Sequence, residues 1–118
     1  MIIKKLTKNA KKIDYFLINF LNKQKKSLLV KPMKYGVISG GKKIRSTIIF
    51  DTGKIFNINS KKLLNICAAV ECIHSYSLIH DDLPCMDDDA VRRGKPSTHI
   101  KFGEASAVLA GSSLLTLA

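Results

Sequence analysis

Five aspartates fall within nine residues of this sequence, and their chemistry suits a cation. They are Asp81 and Asp82, followed by Asp87, Asp88 and Asp89. Like charges packed so closely repel one another, and a cation among them relieves that repulsion. Carboxylate oxygens suit Mg²⁺, which shares its coordination shell with water and substrate phosphates. The D-x-[DN]-x-[DN]-G pattern of a calcium-binding EF-hand is absent. The run therefore predicts a magnesium site, with an acidic surface loop as the alternative.

Groups that could bind phosphate lie on both sides of this acidic run. Arg92 and Arg93 follow it, and guanidinium groups bind phosphate oxygens bidentately. Upstream, the segment 40–45 (Gly-Gly-Lys-Lys-Ile-Arg) joins a flexible turn to a helix N-terminus and basic side chains, which suits an anion. His74 lies seven residues before Asp81, so both point the same way from one helix. A core histidine is the alternative for His74. Together these groups predict two phosphate-bearing ligands, one bound through metal and the other through basic side chains.

Hydrophobic periodicity predicts an all-α chain of about five helices in a single domain. The predicted helices cover about 6–26, 32–38, 43–56, 61–82 and 103–118, with an active-site loop over 83–102. The helix over 61–82 is apolar nearly all round, so we expect it to be central and buried. On the helix over 43–56, we expect Ile44, Ile48 and Ile55 to share one face.

The formal charge of +11 is unevenly distributed. Residues 1–62 carry sixteen Lys or Arg and two Asp or Glu, whereas residues 63–118 carry four and seven. Such a basic half is compatible with a helical nucleic-acid-binding module. However, seventeen of the twenty basic residues are Lys, and no basic motif interleaved with aromatic residues offers base stacking. We therefore rank that hypothesis below the metal-phosphate interpretation and expect no nucleic-acid partner.

The cysteines and the apolar segments predict a cytoplasmic location. Cys67, Cys72 and Cys85 lack C-x-x-C spacing, so we expect core thiols in a reducing compartment. The N-terminus has lysines in place of an apolar signal segment, and no stretch of 18 apolar residues occurs. We therefore expect no membrane span.

From about Met33 to Ala118, the sequence resembles the trans-polyprenyl (farnesyl/geranylgeranyl) diphosphate synthase family. Three ordered signatures carry the resemblance: Gly40-Gly41-Lys42-x-x-Arg45, then 70–84 (VECIHSYSLIHDDLP), then 86–96 (MDDDAVRRGKP). The segment 102–111 resembles the helix that follows in the family. Lys43 and Ser46 stand where the family usually has Arg and Pro, and Ser112 replaces a common Asp.

The resemblance implies a fold, a reaction and a role for each signature. The fold would be the N-terminal part of the isoprenoid synthase helical bundle. The reaction would condense isopentenyl diphosphate with an allylic diphosphate (dimethylallyl or geranyl) in isoprenoid biosynthesis. Mg²⁺ ions would be held by the first aspartate-rich motif, which falls on Asp81, Asp82 and Asp87. Lys42, Arg45, His74 and Arg93 would bind isopentenyl diphosphate, and Arg92 would bind the allylic diphosphate.

Product length is the finest prediction from the resemblance. Tyr76, with Ser77 beside it, lies five residues before Asp81, and an aromatic there resembles the bacterial farnesyl type. The ring would shorten the chain-elongation tunnel, because one bulky side chain can decide pocket depth. We favour a farnesyl product over geranylgeranyl; a simple core aromatic is the alternative for Tyr76.

The stop at Ala118 leaves two functional hypotheses open. Family members are much longer than this chain, and their second aspartate-rich motif lies in the part beyond it. Under the first hypothesis, the intact gene product is a prenyltransferase, a homodimer when full length, of which this chain is the N-terminal portion. Under the second, the chain is an inactive truncated remnant that at most binds Mg-diphosphate or self-associates.

Overall fold

Helices dominate the structure, a computed structural model that describes all 118 residues. It contains six helices and one two-stranded antiparallel sheet. The elements are α1 (Ile2–Asn22), α2 (Val30–Ile38), α3 (Ile44–Ile55), α4 (Ser60–Asp81), β1 (Val91–Arg92), β2 (Lys95–Pro96), α5 (Thr98–Phe102) and α6 (Glu104–Leu117). The predicted all-α class is confirmed.

The segment expected to be an active-site loop over 83–102 is more ordered than predicted. It contains the β1–β2 hairpin and the short helix α5. Arg93 and Gly94 connect the strands with φ of 53° and 72°. Positive φ at both central residues is typical of a type I′ turn, whose twist matches that of a two-residue hairpin. The first helix also differs from the expected 6–26, since α1 begins at Ile2 and ends at Asn22.

The core lies where α4 packs against α6, α3, α1 and α2. Helix α1 contributes Ile13, Leu17 and Leu21, whose four-residue spacing forms one apolar stripe. The sequence predicted that helix α4 is buried all round. This prediction is wrong, because Ile66 and Ile73 are 46% and 45% exposed. Its buried face instead carries Leu63, Cys67, Ala68, Glu71, Cys72, Ser75 and Ile79.

Helix α3 faces the core with Phe50 and two small residues rather than with its isoleucines. Ile44, Ile48 and Ile55 are all exposed, so the apolar face that these residues share by their helical spacing lies outside the core. Ser46, Phe50 and Gly53 are buried instead. A Cβ atom at Gly53 would overlap the side chain of Leu63 on α4. The close approach of α3 and α4 therefore requires small residues at their contact.

The three cysteines differ in environment. Cys67 and Cys72 are buried, as expected of core thiols, whereas Cys85 is exposed. Burial raises the pKa of Cys72 to about 11, so this thiol stays protonated at neutral pH. No helix in the structure combines the length and the apolar character needed to cross a membrane.

Candidate functional site: a basic cleft beside an acidic loop

The turn before α3 is held against the β1–β2 hairpin. Gly40 and Gly41 have φ of 92° and 100°, values that L side chains rarely adopt. The Arg93 guanidinium donates from Nη1 to the Gly40 carbonyl oxygen. A Cβ atom at Gly41 would lie 2.6 Å from Arg93 Nη1. Glycine at position 41 thus permits the arginine to lie directly on the turn.

This contact closes one side of a cleft of ≈ 280 Å³, which we call the basic cleft. It is lined by residues of the turn, α3, α4 and the hairpin: Gly40, Gly41, Lys42, Lys43, Ile44, Arg45, Glu71, His74, Ser75 and Arg93. The structure therefore brings together all four residues predicted to bind isopentenyl diphosphate. They come from positions as far apart in sequence as Lys42 and Arg93.

The surroundings of His74 in the basic cleft favour its neutral form. Arg45 Nη1 lies 3.4 Å from His74 Nε2, and because a guanidinium only donates, Nε2 is the acceptor. The remaining proton is then on Nδ1. Burial lowers the pKa of His74, Arg45 lowers it further, and Glu71 opposes this effect. His74 can therefore offer a hydrogen bond in the cleft without carrying a charge at neutral pH.

A buried ionic group that the sequence analysis did not identify lies at the floor of the basic cleft. Lys43 Nζ donates to the Val37 carbonyl oxygen at 2.7 Å and lies 3.9 Å from Glu71 Oε2. Ser46 donates from Oγ to Glu71 Oε1 at 2.8 Å. The sequence contained one signal of this ionic group, namely Glu71, a glutamate one turn before His74 in an apolar helix. A buried carboxylate requires a partner.

The acidic residues after α4 form a tightly hydrogen-bonded loop. The Asp87 backbone N–H donates to the Asp81 carbonyl oxygen at 2.8 Å, and the Asp89 N–H donates to the Asp82 carbonyl at 3.1 Å. These bonds bring the backbone of Asp87 beside that of Asp81. Asp82 is buried, Asp81 is half-buried and Asp87 is exposed. The predicted metal ligands therefore lie on one folded loop but differ in access.

Asp82 is engaged by Arg92 in a bidentate ion pair. Arg92 donates from Nε to Oδ2 at 2.7 Å and from Nη2 to Oδ1 at 2.8 Å. These hydrogen bonds raise the pKa of Arg92 above its usual value. Both carboxylate oxygens of Asp82 are therefore occupied by a residue that was predicted to bind the allylic diphosphate.

This pairing bears on the predicted magnesium site. No group of three His, Cys, Asp or Glu side chains converges closely enough to hold a metal ion. Of the expected ligands Asp81, Asp82 and Asp87, Asp82 has both carboxylate oxygens bonded to Arg92. Asp81 and Asp87 form no ion pair, and their hard oxygen atoms fit Mg²⁺.

The hairpin that carries the two arginines is anchored at its second strand. Ser97 Oγ donates to the Asp89 carbonyl at 2.7 Å, and the Ser97 N–H donates to the Ala90 carbonyl at 2.9 Å. Tyr35 on α2 donates its hydroxyl to the Pro96 carbonyl at 2.6 Å. The arginines thus project from a fixed support.

The residues predicted to set product length lie one turn before the acidic loop. The Tyr76 ring meets the His80 ring edge-on, with centroids 4.8 Å apart, and packs against the core. His80 Nε2 donates to the Val108 carbonyl on α6 at 3.0 Å. Ser77 donates its hydroxyl to the His74 carbonyl within α4. Tyr76 is therefore held by packing, whereas the Ser77 hydroxyl is satisfied within its own helix.

Comparisons with known proteins identify relatives of this chain. The chain is 55% identical over 104 residues to a farnesyl diphosphate synthase of Buchnera aphidicola, covering 88% of this chain and 36% of that protein. It is 56% identical over 90 residues to farnesyl diphosphate synthase of Escherichia coli, covering 76% of this chain and 30% of that protein. The chain thus spans about a third of the length of these curated relatives.

A solved structure extends the comparison over nearly the whole chain. A geranyltransferase from Legionella pneumophila superposes with a TM-score of 0.93 at 38% identity, covering 99% of this chain and 42% of that protein. The family model for polyprenyl synthetases matches residues 26–118. These matches include the Gly40–Arg45 turn, α4, the acidic loop and the hairpin, and we conclude that the chain belongs to the polyprenyl synthetase family.

Proposed function

We propose that the protein of which this sequence is part transfers an allylic group to isopentenyl diphosphate and releases farnesyl diphosphate. The observation that carries the proposal is the meeting of Lys42, Arg45, His74 and Arg93 in one basic cleft beside an acidic loop. A cleft lined by four cationic side chains and one carboxylate suits an anion. The neighbouring aspartates suit a metal ion that binds a second anion.

The basic cleft would bind isopentenyl diphosphate directly. Lys42, Arg45 and Arg93 supply positive charge, and the two guanidinium groups can each bind a phosphate through paired hydrogen bonds. The neutral imidazole of His74 adds a donor. Because Arg93 is fixed on the Gly40-Gly41 turn, the anion-binding groups are positioned before the ligand arrives.

The acidic loop would bind the allylic diphosphate through Mg²⁺. Asp81 and Asp87 would hold the metal, which neutralises the charge of the departing diphosphate when bound. Arg92, held by Asp82, would contact the same diphosphate from the hairpin. Within this assignment, Asp82 orients Arg92.

The reaction breaks the C–O bond of the allylic diphosphate and forms a C–C bond with the isopentenyl double bond. A proton then leaves the new chain, and inorganic diphosphate is released. Arg92 and the Mg²⁺ that Asp81 and Asp87 would hold would stabilise the negative charge that develops on the leaving group, which is the main contribution expected of such a site. Tyr76 would limit the product to farnesyl length, in keeping with the names of the two curated relatives. We expect the complete synthase to be a homodimer.

The test is a product assay with the purified protein, Mg²⁺, isopentenyl diphosphate and geranyl diphosphate. We expect farnesyl diphosphate to form and to disappear when Mg²⁺ is omitted. Arg45→Met should raise the KM for isopentenyl diphosphate at least tenfold, because it removes a charged hydrogen bond worth about 1.5–3 kcal/mol. Lys54→Met, on the exposed part of α3 outside the cleft, is the matched control. Diphosphate binding without any product would favour the inactive-remnant hypothesis.

A further inference from the structure

We propose that Lys43 is a positioning residue of the basic cleft, where it neutralises the buried Glu71 carboxylate so that an anion can bind above it. The proposal rests on the proposed function and deepens it. It assigns a role to two buried charges that none of the substrate contacts proposed above uses.

Both side chains are almost completely enclosed. The side chains of Lys43 and Glu71 are 4% and 3% exposed. Glu71 Oε2 lies 3.9 Å from Lys43 Nζ, and Oε1 accepts the hydrogen bond from the buried Ser46 hydroxyl. A buried charge is tolerated only when it is paired and hydrogen-bonded, so the negative charge of Glu71 depends on these partners.

The Lys43–Glu71 pair affects ligand binding because Glu71 lies in the wall of the cleft. Glu71 lines the basic cleft with Arg45, His74 and Arg93. An uncompensated carboxylate at this floor would repel a diphosphate in surroundings where charges are poorly screened. Lys43 offsets that repulsion, and the exposed side chains of Lys42, Arg45 and Arg93 supply the positive charge that binds the ligand.

The same lysine fixes the backbone of the turn. Lys43 has a φ of 47°, and its side chain runs inward to the Val37 carbonyl of α2. On its other side, Asp14 of α1 lies with Oδ1 3.6 Å from Lys43 Nζ. Since Lys43 points inward, its neighbour Lys42 remains exposed at the cleft. Lys43 therefore connects α1, α2 and α4 through Asp14, Val37 and Glu71.

The test measures binding of inorganic diphosphate to the purified protein by isothermal titration calorimetry without metal. Lys43→Met should weaken binding roughly tenfold, and Glu71→Gln alone should strengthen it about threefold. The double variant Lys43→Met/Glu71→Gln should return to within about threefold of the starting affinity. Lys54→Met is the control for loss of a lysine outside the cleft. If the double variant folds and binds as weakly as Lys43→Met, the proposal is overturned.

A second readout does not depend on ligand binding. The pKa of His74, followed by NMR, reports the balance between Glu71 and the cationic groups that face the ring, namely Arg45, Arg93 and Lys43. Lys43→Met should raise the pKa of His74, and Glu71→Gln should lower it. A protein that binds no diphosphate contradicts the proposed function, yet these shifts still test the pairing. If Lys43→Met does not fold, Glu71→Gln alone tests the proposal. A Glu71→Gln protein whose diphosphate affinity and His74 pKa are both unchanged overturns the proposal.

Discussion

Arg92 and Asp82 form two parallel hydrogen bonds, from Nε to Oδ2 and from Nη2 to Oδ1, and thereby join the hairpin to the end of α4. The side chain of Asp82 is 2% exposed, so its hydrogen bonds to Arg92 take the place of hydrogen bonds to water. The pair fixes the side chain that we assign to the allylic diphosphate. It also engages the one buried carboxylate among the three aspartates predicted to bind metal.

Arg92→Met should lower the free energy of unfolding by about 2–3 kcal/mol, because a buried carboxylate loses its partner. Lys95→Met is a matched control, since Lys95 lies opposite Arg92 across the hairpin and forms no ion pair. It should change stability by less than about 0.5 kcal/mol. Urea unfolding followed by circular dichroism gives both values. Equal effects of the two substitutions would refute a stabilising role for the Arg92–Asp82 pair.

Gly41→Ala should disrupt the basic cleft. The new Cβ would meet the Arg93 guanidinium, and the positive φ adds strain of about 1–3 kcal/mol. We expect diphosphate affinity, measured by calorimetry, to fall roughly tenfold as Arg93 is displaced. Gly40→Ala is the control, because it has a similar φ of 92° but nothing within 4 Å of its Cβ. Should both variants lose affinity equally, backbone strain rather than contact with Arg93 would be responsible.

The sequence was most informative where spacing alone determines structure. Residues at intervals of three and four predicted the helical class, and the Ile13–Leu21 stripe of α1 follows that pattern. The inward face of α3 could not be predicted in this way, because two of its three buried residues are Ser46 and Gly53. Small residues carry little hydrophobic signal, yet they permit close approach to Leu63. Tertiary packing overrode the apolar pattern of this helix.

The chemistry of the candidate site was only partly readable from residue types. The motifs named the groups that meet in the basic cleft, but no spacing reveals which side chains pair once the chain folds. Asp82 and Asp87 look alike in the sequence, whereas one is buried against Arg92 and the other is exposed. The inward course of Lys43 was equally hidden, because it depends on the left-handed backbone at that residue.

The depressed pKa of His74 predicts how stability depends on pH. Burial and Arg45 lower this pKa in the folded state, so the unfolded chain binds the proton more readily. The stabilisation is fully present above the unfolded value of 6.5 and is lost as the pH falls from there through the folded pKa. His74→Gln should flatten that part of the stability profile, as measured by urea unfolding between about pH 5 and 8. The expectation fails if both proteins lose stability in parallel over this range.

Tyr76→Ala tests the assignment of product length. Its ring packs against His80 and the core, and removing a half-buried aromatic should destabilise the protein by about 2–3 kcal/mol. If the ring closes the elongation tunnel, the variant should gain the ability to accept farnesyl diphosphate as an allylic substrate and extend it. Chromatography of the dephosphorylated products would then reveal chains longer than farnesol.

Tyr15→Ala is the control for Tyr76→Ala, because it also removes a tyrosine ring, but from a position on α1 that is 70% exposed. It should leave both stability and product length unchanged.

Ser77→Ala tests the second residue that the sequence analysis associated with product length. Its hydroxyl already donates within α4, so its removal should not lengthen the product. A Tyr76→Ala protein that remains folded and active but releases only farnesyl diphosphate would assign the ring to core packing alone.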